Sequence, residues 1–385
     1  MINNRYGRRI AAYLEQSIQA FWYPHTASHL PWGRYVLYAL MPLWWSLAHL
    51  FAYISKKRAC KLRQQAAQYR LEIPVIVVGN LHVGGSGKSP LVRWLAQYWQ
   101  TQGYQVGIIS RGYGGCAPQY PYEVTVNSPV AAAGDEALML HQQTACPVVV
   151  APCRLSALQY LQKKYPLDLV ISDDGLQHYA LPRTHELVVV SGARTWGRNA
   201  LLPLGPLREP RCRLLQADAV IVHQSQAGQL QQMQQEFAGA QALPWIGVRL
   251  ADYRWHPLAQ INQAMPESVG MQVCPWPPGT QVHLVTGISY PQPLIDYLTQ
   301  HCQLQVQAHL WPDHYQFQGD EFQFADAAPC VVTMKDVVKC QTYLRAQDYI
   351  ISVDLQVDPE LIALCHTWQA QWAGRTHLNR EDAHG

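Results

Sequence analysis

The stretch IPVIVVGNLHVGGSGKSP, residues 73–90, decides the fold. An apolar, β-branched run feeds a glycine-rich turn that ends in Gly87-Lys88-Ser89. This is the order a phosphate-binding loop requires between a buried strand and a helix. The usual pattern places a glycine five residues before Gly87, and His82 stands there instead. That departure touches the approach to the loop, not its cradle. Gly84, Gly85 and Gly87, with Ser86 among them, can turn their N–H groups inward as an anion nest without Cβ obstruction. Lys88 can reach outer phosphates, the Ser89 hydroxyl suits Mg²⁺, and Pro90 sits near the start of the next helix. Leu91, Trp94, Leu95, Tyr98 and Trp99 then repeat at helical spacing, with Gly103 as the stop.

Working outward, similar apolar runs recur at 105–110, 147–151, 167–172, 186–190 and 218–222. Continuous β-branched runs of this length indicate strands covered on both faces, hence a parallel sheet between helices. The predicted fold class is α/β, a P-loop NTPase-like sheet with a second, smaller α/β domain. The expected organisation is a membrane-associating segment over 1–70, the nucleotide-binding domain over 71–245 and the smaller domain over 246–355. Strands at 281–287, 330–334 and 349–357 build that smaller domain, and a polar segment, 356–385, is free to pack back on the first. A glutamine-rich helical stretch, 229–241, precedes the boundary.

Three further patches carry chemistry. LVISDDGLQH (169–178) runs an apolar strand into Asp173 and Asp174, at the strand end where open α/β sheets bind ligands. One carboxylate there can hold Mg²⁺ while the other orients a nucleophile. His178 either supports that pair or caps the turn. AGDEALML (133–140) places Asp135 and Glu136 at a helix start, as metal ligand or general base, or as an ordinary acidic first turn. LLPLGPLREP (201–210) is a stiff loop presenting Arg208 and Glu209, suited to clamping phosphate or to a loop salt bridge.

A net charge of only +3 gives no global argument for nucleic acid, so a basic partner surface must be local. The ten cysteines form no C-x-x-C pair and read as reduced thiols, not a zinc site or disulfide framework. His25 and His29 share a metal-like i, i+4 spacing but lack the intervening Glu of a zinc helix, and read as ordinary histidines.

The first seventy residues are of another character. Residues 35–54 contain no formal charge, long enough as a helix to cross a hydrocarbon core. Pro42, Ser46 and His49 weaken a spanning reading, since each would need a partner in lipid. Trp22, Trp32, Trp44 and Trp45 cluster here, and Lys56, Lys57, Arg58, Lys61 and Arg63 follow, a pattern suited to an anionic headgroup surface. Arg5, Arg8, Arg9 and Arg34 lie on the other side, so charge counting does not separate spanning from interfacial. Partial, monotopic insertion is the favoured expectation.

Taken in order, VGNLHVGGSGKSP, SRGYGG (110–115), GDE (134–136), DDGLQH (173–178), LPLGPLREP (202–210), DHY (313–315) and TMKDVVK (333–339) resemble the tetraacyldisaccharide 4'-kinase family. That family belongs to lipid A synthesis in Gram-negative bacteria, and in it the position of His82 is also not glycine. The resemblance implies transfer of the γ-phosphate of ATP to the 4'-hydroxyl of a tetraacylated disaccharide 1-phosphate. It implies work at the cytoplasmic face of the inner membrane, with no nucleic acid and no obligate protein partner. By position, Gly84 to Pro90 and Arg208 would hold ATP, and Ser89, Glu136, Asp173 and Glu209 would serve Mg²⁺. Asp135, with His314 of DHY and with Asp174, would form the catalytic set; Arg154 and His178 would face the substrate. Two other readings compete: another membrane-associated P-loop ATPase or soluble-metabolite kinase, and a nucleotide-binding adaptor without a chemical step.

Overall fold

The computed structural model describes residues 13–14, 16–24, 32–192, 196–223, 228–237, 243–258, 270–288 and 290–381, with backbone alone for Arg34 and 374–381. His25, His29, Arg5, Arg8 and Arg9 lie outside the described residues, as does the end of the glutamine-rich stretch.

One twelve-stranded sheet runs through the molecule. Its first part comprises β1 (Val75–Gly79), β2 (Val106–Ser110), β3 (Tyr122–Val124), β4 (Val148–Val150), β5 (Leu169–Ser172), β6 (His185–Ser191) and β7 (Ala219–His223). Its second comprises β8 (Trp245–Pro257), β9 (Gln281–Thr286), β10 (Gln305–Leu310), β11 (Cys330–Thr333) and β12 (Tyr349–Val357). The order is β10-β9-β11-β12-β8-β7-β6-β1-β5-β2-β4-β3, parallel except for the β3–β4 and β8–β12 pairs. Every residue of β1, β2, β4 and β5 is buried, as expected for parallel strands sandwiched by helices.

The antiparallel β8–β12 ribbon reverses the sheet's polarity at its middle. The end of β7 pairs His223 with Val248, and β11 ends where Thr333 pairs with Ile351, itself opposite Trp255. The carboxyl ends of the two parallel halves therefore face one another across the stretch Arg249–Arg254. There the register shifts between Val353 and Asp354, and Asp252 takes a φ of +57°. A bulge of this kind bends the ribbon and opens a cleft between the two sets of strand ends.

Three strands were not legible from the sequence. β8 is broken by Arg249, Asp252 and Arg254, β10 is an exposed edge strand, and β3 is short. The loop helix runs Lys88–Thr101, with Gly103 in the left-handed region at φ +85° as its stop. The C-terminal helix Pro359–Glu381 packs on the nucleotide-binding half: Leu361, Cys365, Trp368 and Trp372 share one core with Leu95 and Trp99. There the Trp372 indole donates to His185 Nε2 at 3.2 Å, and the His185 ring stacks on Trp368 at 4.1 Å. Trp368→Ala is expected to cost about 3 kcal/mol through loss of this buried ring. Urea unfolding checks it, as a lower midpoint at unchanged slope.

The expected apolar helix over 35–54 is two helices, Gly33–Ala39 and Met41–Ala66, parted at Leu40. Pro42 sits in the first turn of the second, where its missing N–H costs nothing. Ser46 and His49 return their polar atoms to the carbonyls of Pro42 and Trp45, at 3.0 and 2.8 Å. Among the described residues no helix is long and apolar enough to cross a membrane. Trp45, Leu43, Leu50, Tyr53 and Ile54 are nevertheless exposed, and the basic cluster continues the same helix. Arg63, near its end, lies 4.4 Å over the Tyr179 ring and donates to Gln216 at 2.7 Å, tying the helix to the body.

Candidate active site

The glycine loop leaves β1 and closes on the loop 201–210. Val83 N–H donates to Pro206 O at 3.0 Å, and Arg208 N–H to Leu81 O at 2.6 Å. His82, at the position without glycine, is buried and bridged to Leu207, so a side chain here belongs to the packing between the two loops. Gly87, by contrast, admits nothing larger. Its φ is +81°, and a Cβ would lie 2.2 Å from Cδ2 of His223, the last residue of β7. Burial pushes the His223 imidazole down to about 4, so a neutral ring backs the loop. The Ser86 hydroxyl is buried without a hydrogen-bond partner.

β5 delivers Asp173 and Asp174 beside the loop. Lys88 Nζ lies 3.4 Å from Asp174 Oδ1, and Arg208 lies 3.5 Å from the same oxygen. Burial would raise the Asp174 carboxyl, but Lys88 and Arg208 outweigh it and hold it below the usual range. Asp173 behaves oppositely: burial, with Glu136 and Asp174 nearby, pushes it up to about 7. Its Oδ1 is buried without a hydrogen-bond partner, an acceptor whose burial a nearby cation would relieve. No cluster of three or more His, Cys, Asp or Glu side chains among the described residues suffices for a metal alone. Mg²⁺ at phosphoryl-transfer sites is ordinarily held by one or two carboxylates together with substrate phosphates.

The catalytic pair is drawn from both halves: Asp135 from the nucleotide-binding half and His314 from the second. Asp135 begins the helix Asp135–Thr144 and is buried. His314, in the loop after β10, donates from Nδ1 to both Asp135 oxygens, at 2.9 and 3.0 Å. The hydrogen bond to Asp135 raises the His314 pKa above its ordinary value. Burial would raise Asp135, yet the His314 bond and the Lys335 and Lys339 charges keep it lowered. Gly134 turns the chain into this helix at φ +82°, where a Cβ would meet Tyr113 O at 2.6 Å. The SRGYGG loop thus presses on the start of the Asp135 helix, and Tyr113 contacts the His314 ring at 4.9 Å. A cleft of about 830 Å³ connects Lys88 and Ser89 with Glu136, Asp313 and Lys335.

Of the expected residues, Gly85 to Pro90 and Glu136 line this cleft, while Gly84, Asp135, His314, Asp173, Asp174 and Arg208 are not part of its lining, nor are Glu209, Arg154 and His178. Glu209 accepts from Tyr179, from Gln177 Nε2 at 2.9 Å and pairs with Arg213 at 3.6 Å. Gln177 in turn accepts from Arg208 at 3.2 Å, so Glu209 acts on the clamp arginine through Gln177. Arg154 is buried and donates to the carbonyls of Ala151 and Asp173, at 2.8 and 3.3 Å. Burial pushes its pKa down to about 10. Its guanidinium braces the strand end under the acidic pair. Burial and the Arg154 and Arg111 charges push His178 down to about 3, and its carbonyl accepts from Arg183. Residues that sequence reasoning left unassigned are Lys335, Lys339, Asp313, Gln177 and His223; the first four sit inside motifs already quoted.

Known proteins resemble this chain over most of its length. The sequence profile of the family described as "Tetraacyldisaccharide-1-P 4'-kinase" matches residues 40–368. A tetraacyldisaccharide 4'-kinase of Pseudomonas putida is 38% identical over 80% of this chain and 87% of its own length. One from Nitrosococcus oceani is 37% identical over 83% of this chain and 89% of its own. The solved LpxK of Aquifex aeolicus, an "apo" form in complex with ATP, superposes with a TM-score of 0.65 at 22% identity. It covers 86% of this chain and 98% of that one, and speaks for the fold. A glycine loop, an acidic strand end and a carboxylate–imidazole pair are thus found in a chain that belongs to the tetraacyldisaccharide 4'-kinase family.

Proposed function

We propose that this protein is an ATP-dependent lipid kinase. It moves the γ-phosphoryl group of ATP to the 4'-hydroxyl of a tetraacyldisaccharide 1-phosphate, at the cytosol-facing surface of the inner membrane. The observation that carries this reading is the Asp135–His314 pair, whose chain neighbours Glu136 and Asp313 line the cleft together with the phosphate loop. Binding a nucleotide needs no such proton carrier; activating a sugar hydroxyl does.

In this reading the loop N–H groups and Lys88 grip the triphosphate, and Arg208, held by Gln177 and Glu209, steadies it from the side. Asp173, Glu136 and Ser89 would hold Mg²⁺, which neutralises charge building on the phosphates. His314 and Asp135 share the proton that leaves the acceptor hydroxyl, and the imidazole tunes a carboxylate that alone is too weak a base. The halves meet over the substrate through the bent β8–β12 ribbon. Glu209, Arg154 and His178 act here as supports of the phosphate-binding edge.

The acceptor explains the N-terminal helices. Extracting a four-chain lipid costs about 0.8 kcal/mol per CH₂, so the enzyme must reach the bilayer surface. Trp45, Leu50 and Ile54 offer an exposed apolar face, and Lys56 to Arg63 place cations beside anionic headgroups. The test is incubation with γ-labelled ATP, Mg²⁺ and detergent-dispersed lipid acceptor, followed by chromatography of the lipid. Label in the lipid is expected. Free labelled phosphate alone would indicate an ATPase, and label in neither an adaptor.

A further inference from the structure

The helix Met334–Cys340 turns two lysines, one helical turn apart, toward the two acids that open the Asp135 helix. They are differently placed. Lys339 is wholly buried, 3.1 Å from Asp336 Oδ1 and 3.6 Å from Asp135 Oδ2. Asp336 is itself fixed by the Thr286 and Thr333 hydroxyls, each at 2.7 Å, so Lys339 has nowhere to go. Lys335 lies in the cleft wall with Lys88 and Ser89. Its ammonium is 2.6 Å from Asp313 Oδ1 and 3.5 Å from Glu136 Oε1, and both carboxylates are partly open to the cleft. Burial opposes its charge, yet Glu136 and Asp313 outweigh that and keep it protonated.

We propose that Lys335 is a catalytic residue that binds the transferring phosphoryl group, leaving Glu136 for the γ-phosphate oxygens when nucleotide enters the cleft. This rests on the kinase reading above. Phosphoryl transfer spreads charge over three equatorial oxygens, and catalysis consists largely of meeting that charge. Four cationic side chains line the described cleft: Lys88, Arg93, Arg249 and Lys335. Lys88 belongs to the loop side. Arg93 is committed to Val353 O at 2.7 Å, and Arg249 to Gln356 at 2.6 Å. Lys335 alone of the four adjoins the Asp135–His314 pair, since its partner Asp313 lies 3.8 Å from His314 Nε2. Its long flexible stem allows the exchange, and an ammonium serves as a mobile point charge. The move also frees Glu136 into the cleft. In the step itself the 4'-oxygen bonds to phosphorus while the bond to the β-phosphate bridging oxygen breaks. ADP leaves with that electron pair, and the hydroxyl proton passes to the Asp135–His314 pair.

The experiment measures ATP and ADP affinity by calorimetry on the full chain with Mg²⁺ and no lipid. Lys335→Met is expected to weaken ATP about fivefold or more while ADP changes less than about twofold, because only ATP carries the group in question. Turnover with lipid should fall about 100-fold in the same variant. Lys335→Arg should restore discrimination between the nucleotides, and Asp313→Asn, which releases the ammonium, should keep it. Should the methionine variant not fold, Lys335→Gln reads the same difference. Equal weakening of ATP and ADP, or no weakening, would overturn the assignment. So would an Asp313→Asn variant that mimics Lys335→Met, since Lys335 would then only latch the two halves. Wild-type lipid labelling is scored separately, so loss of the kinase reading and loss of this one are different results.

Discussion

Asp135→Asn is expected to lower kcat about 10³-fold while leaving Mg·ATP affinity within about threefold, as removal of a general base should. The substitution keeps shape and a hydrogen-bond acceptor for His314, so the loss reports charge and proton capacity. Lys339 remains paired with Asp336 at 3.1 Å, so no buried ammonium is stranded and the fold should hold. The pH profile gives an independent reading. The base-competent form has a neutral imidazole, and Asp135 raises the His314 pKa. The rate of the wild-type protein should therefore climb with pH through a value above the ordinary histidine value of about 6.5. In Asp135→Asn that limb should move down toward the ordinary value, because the charge that raised it is gone. A limb that stays in place would mean that the pair does not titrate in the rate-determining step. Stopped assays of lipid phosphorylation from acid to alkaline pH give both quantities.

Lys88→Ala should do its damage earlier in the reaction. Its ammonium is the loop's own counter-charge for the outer phosphates, and its loss is expected to lower kcat/KM about 10³-fold, with weakened Mg·ATP binding as a visible part. Arg208 stays 3.5 Å from Asp174, so the acidic turn keeps a counter-ion and the apo fold should survive. The contrast between the variants is diagnostic. One should bind nucleotide and fail to transfer; the other should fail to hold it. Calorimetric titration with Mg·ATP beside the kinetic assay separates them, and equal nucleotide affinity in both would refute the division of labour.

The loop and the acidic strand end were readable because their chemistry is local. Gly84 to Ser89 follow directly on a buried strand, and Asp173-Asp174 end another. What joins the site is not local. Asp135 and His314 are separated by 179 positions, and no spacing rule puts them in contact; family resemblance suggested the pair, and the fold brings it together. The ribbon that does so was the least legible element. β8 carries Arg249, Asp252 and Arg254 at the bend, where the strand leaves the shelter of helices and apolar continuity stops. Lys335 and Lys339 were visible as part of TMKDVVK, but their opposite fates depend on burial that sequence does not display. Glu209 and Arg154 looked like ligand residues because charged groups beside a phosphate loop usually are. In the folded chain Tyr179, Gln177 and Arg213 take up Glu209, and main-chain carbonyls take up Arg154.

The central claim is that a triphosphate held by the glycine loop is discharged onto a lipid hydroxyl activated by a pair that joins the two halves, Asp135 from the loop's own half and His314 from the other. Its most direct measurement is the stoichiometry of a single enzyme-limited turnover, counting ADP formed against 4'-phosphorylated disaccharide recovered. The account predicts one ADP for each lipid phosphorylated, and no ADP when acceptor is withheld. ADP released at the same rate without acceptor, with the lipid recovered unchanged, would contradict it.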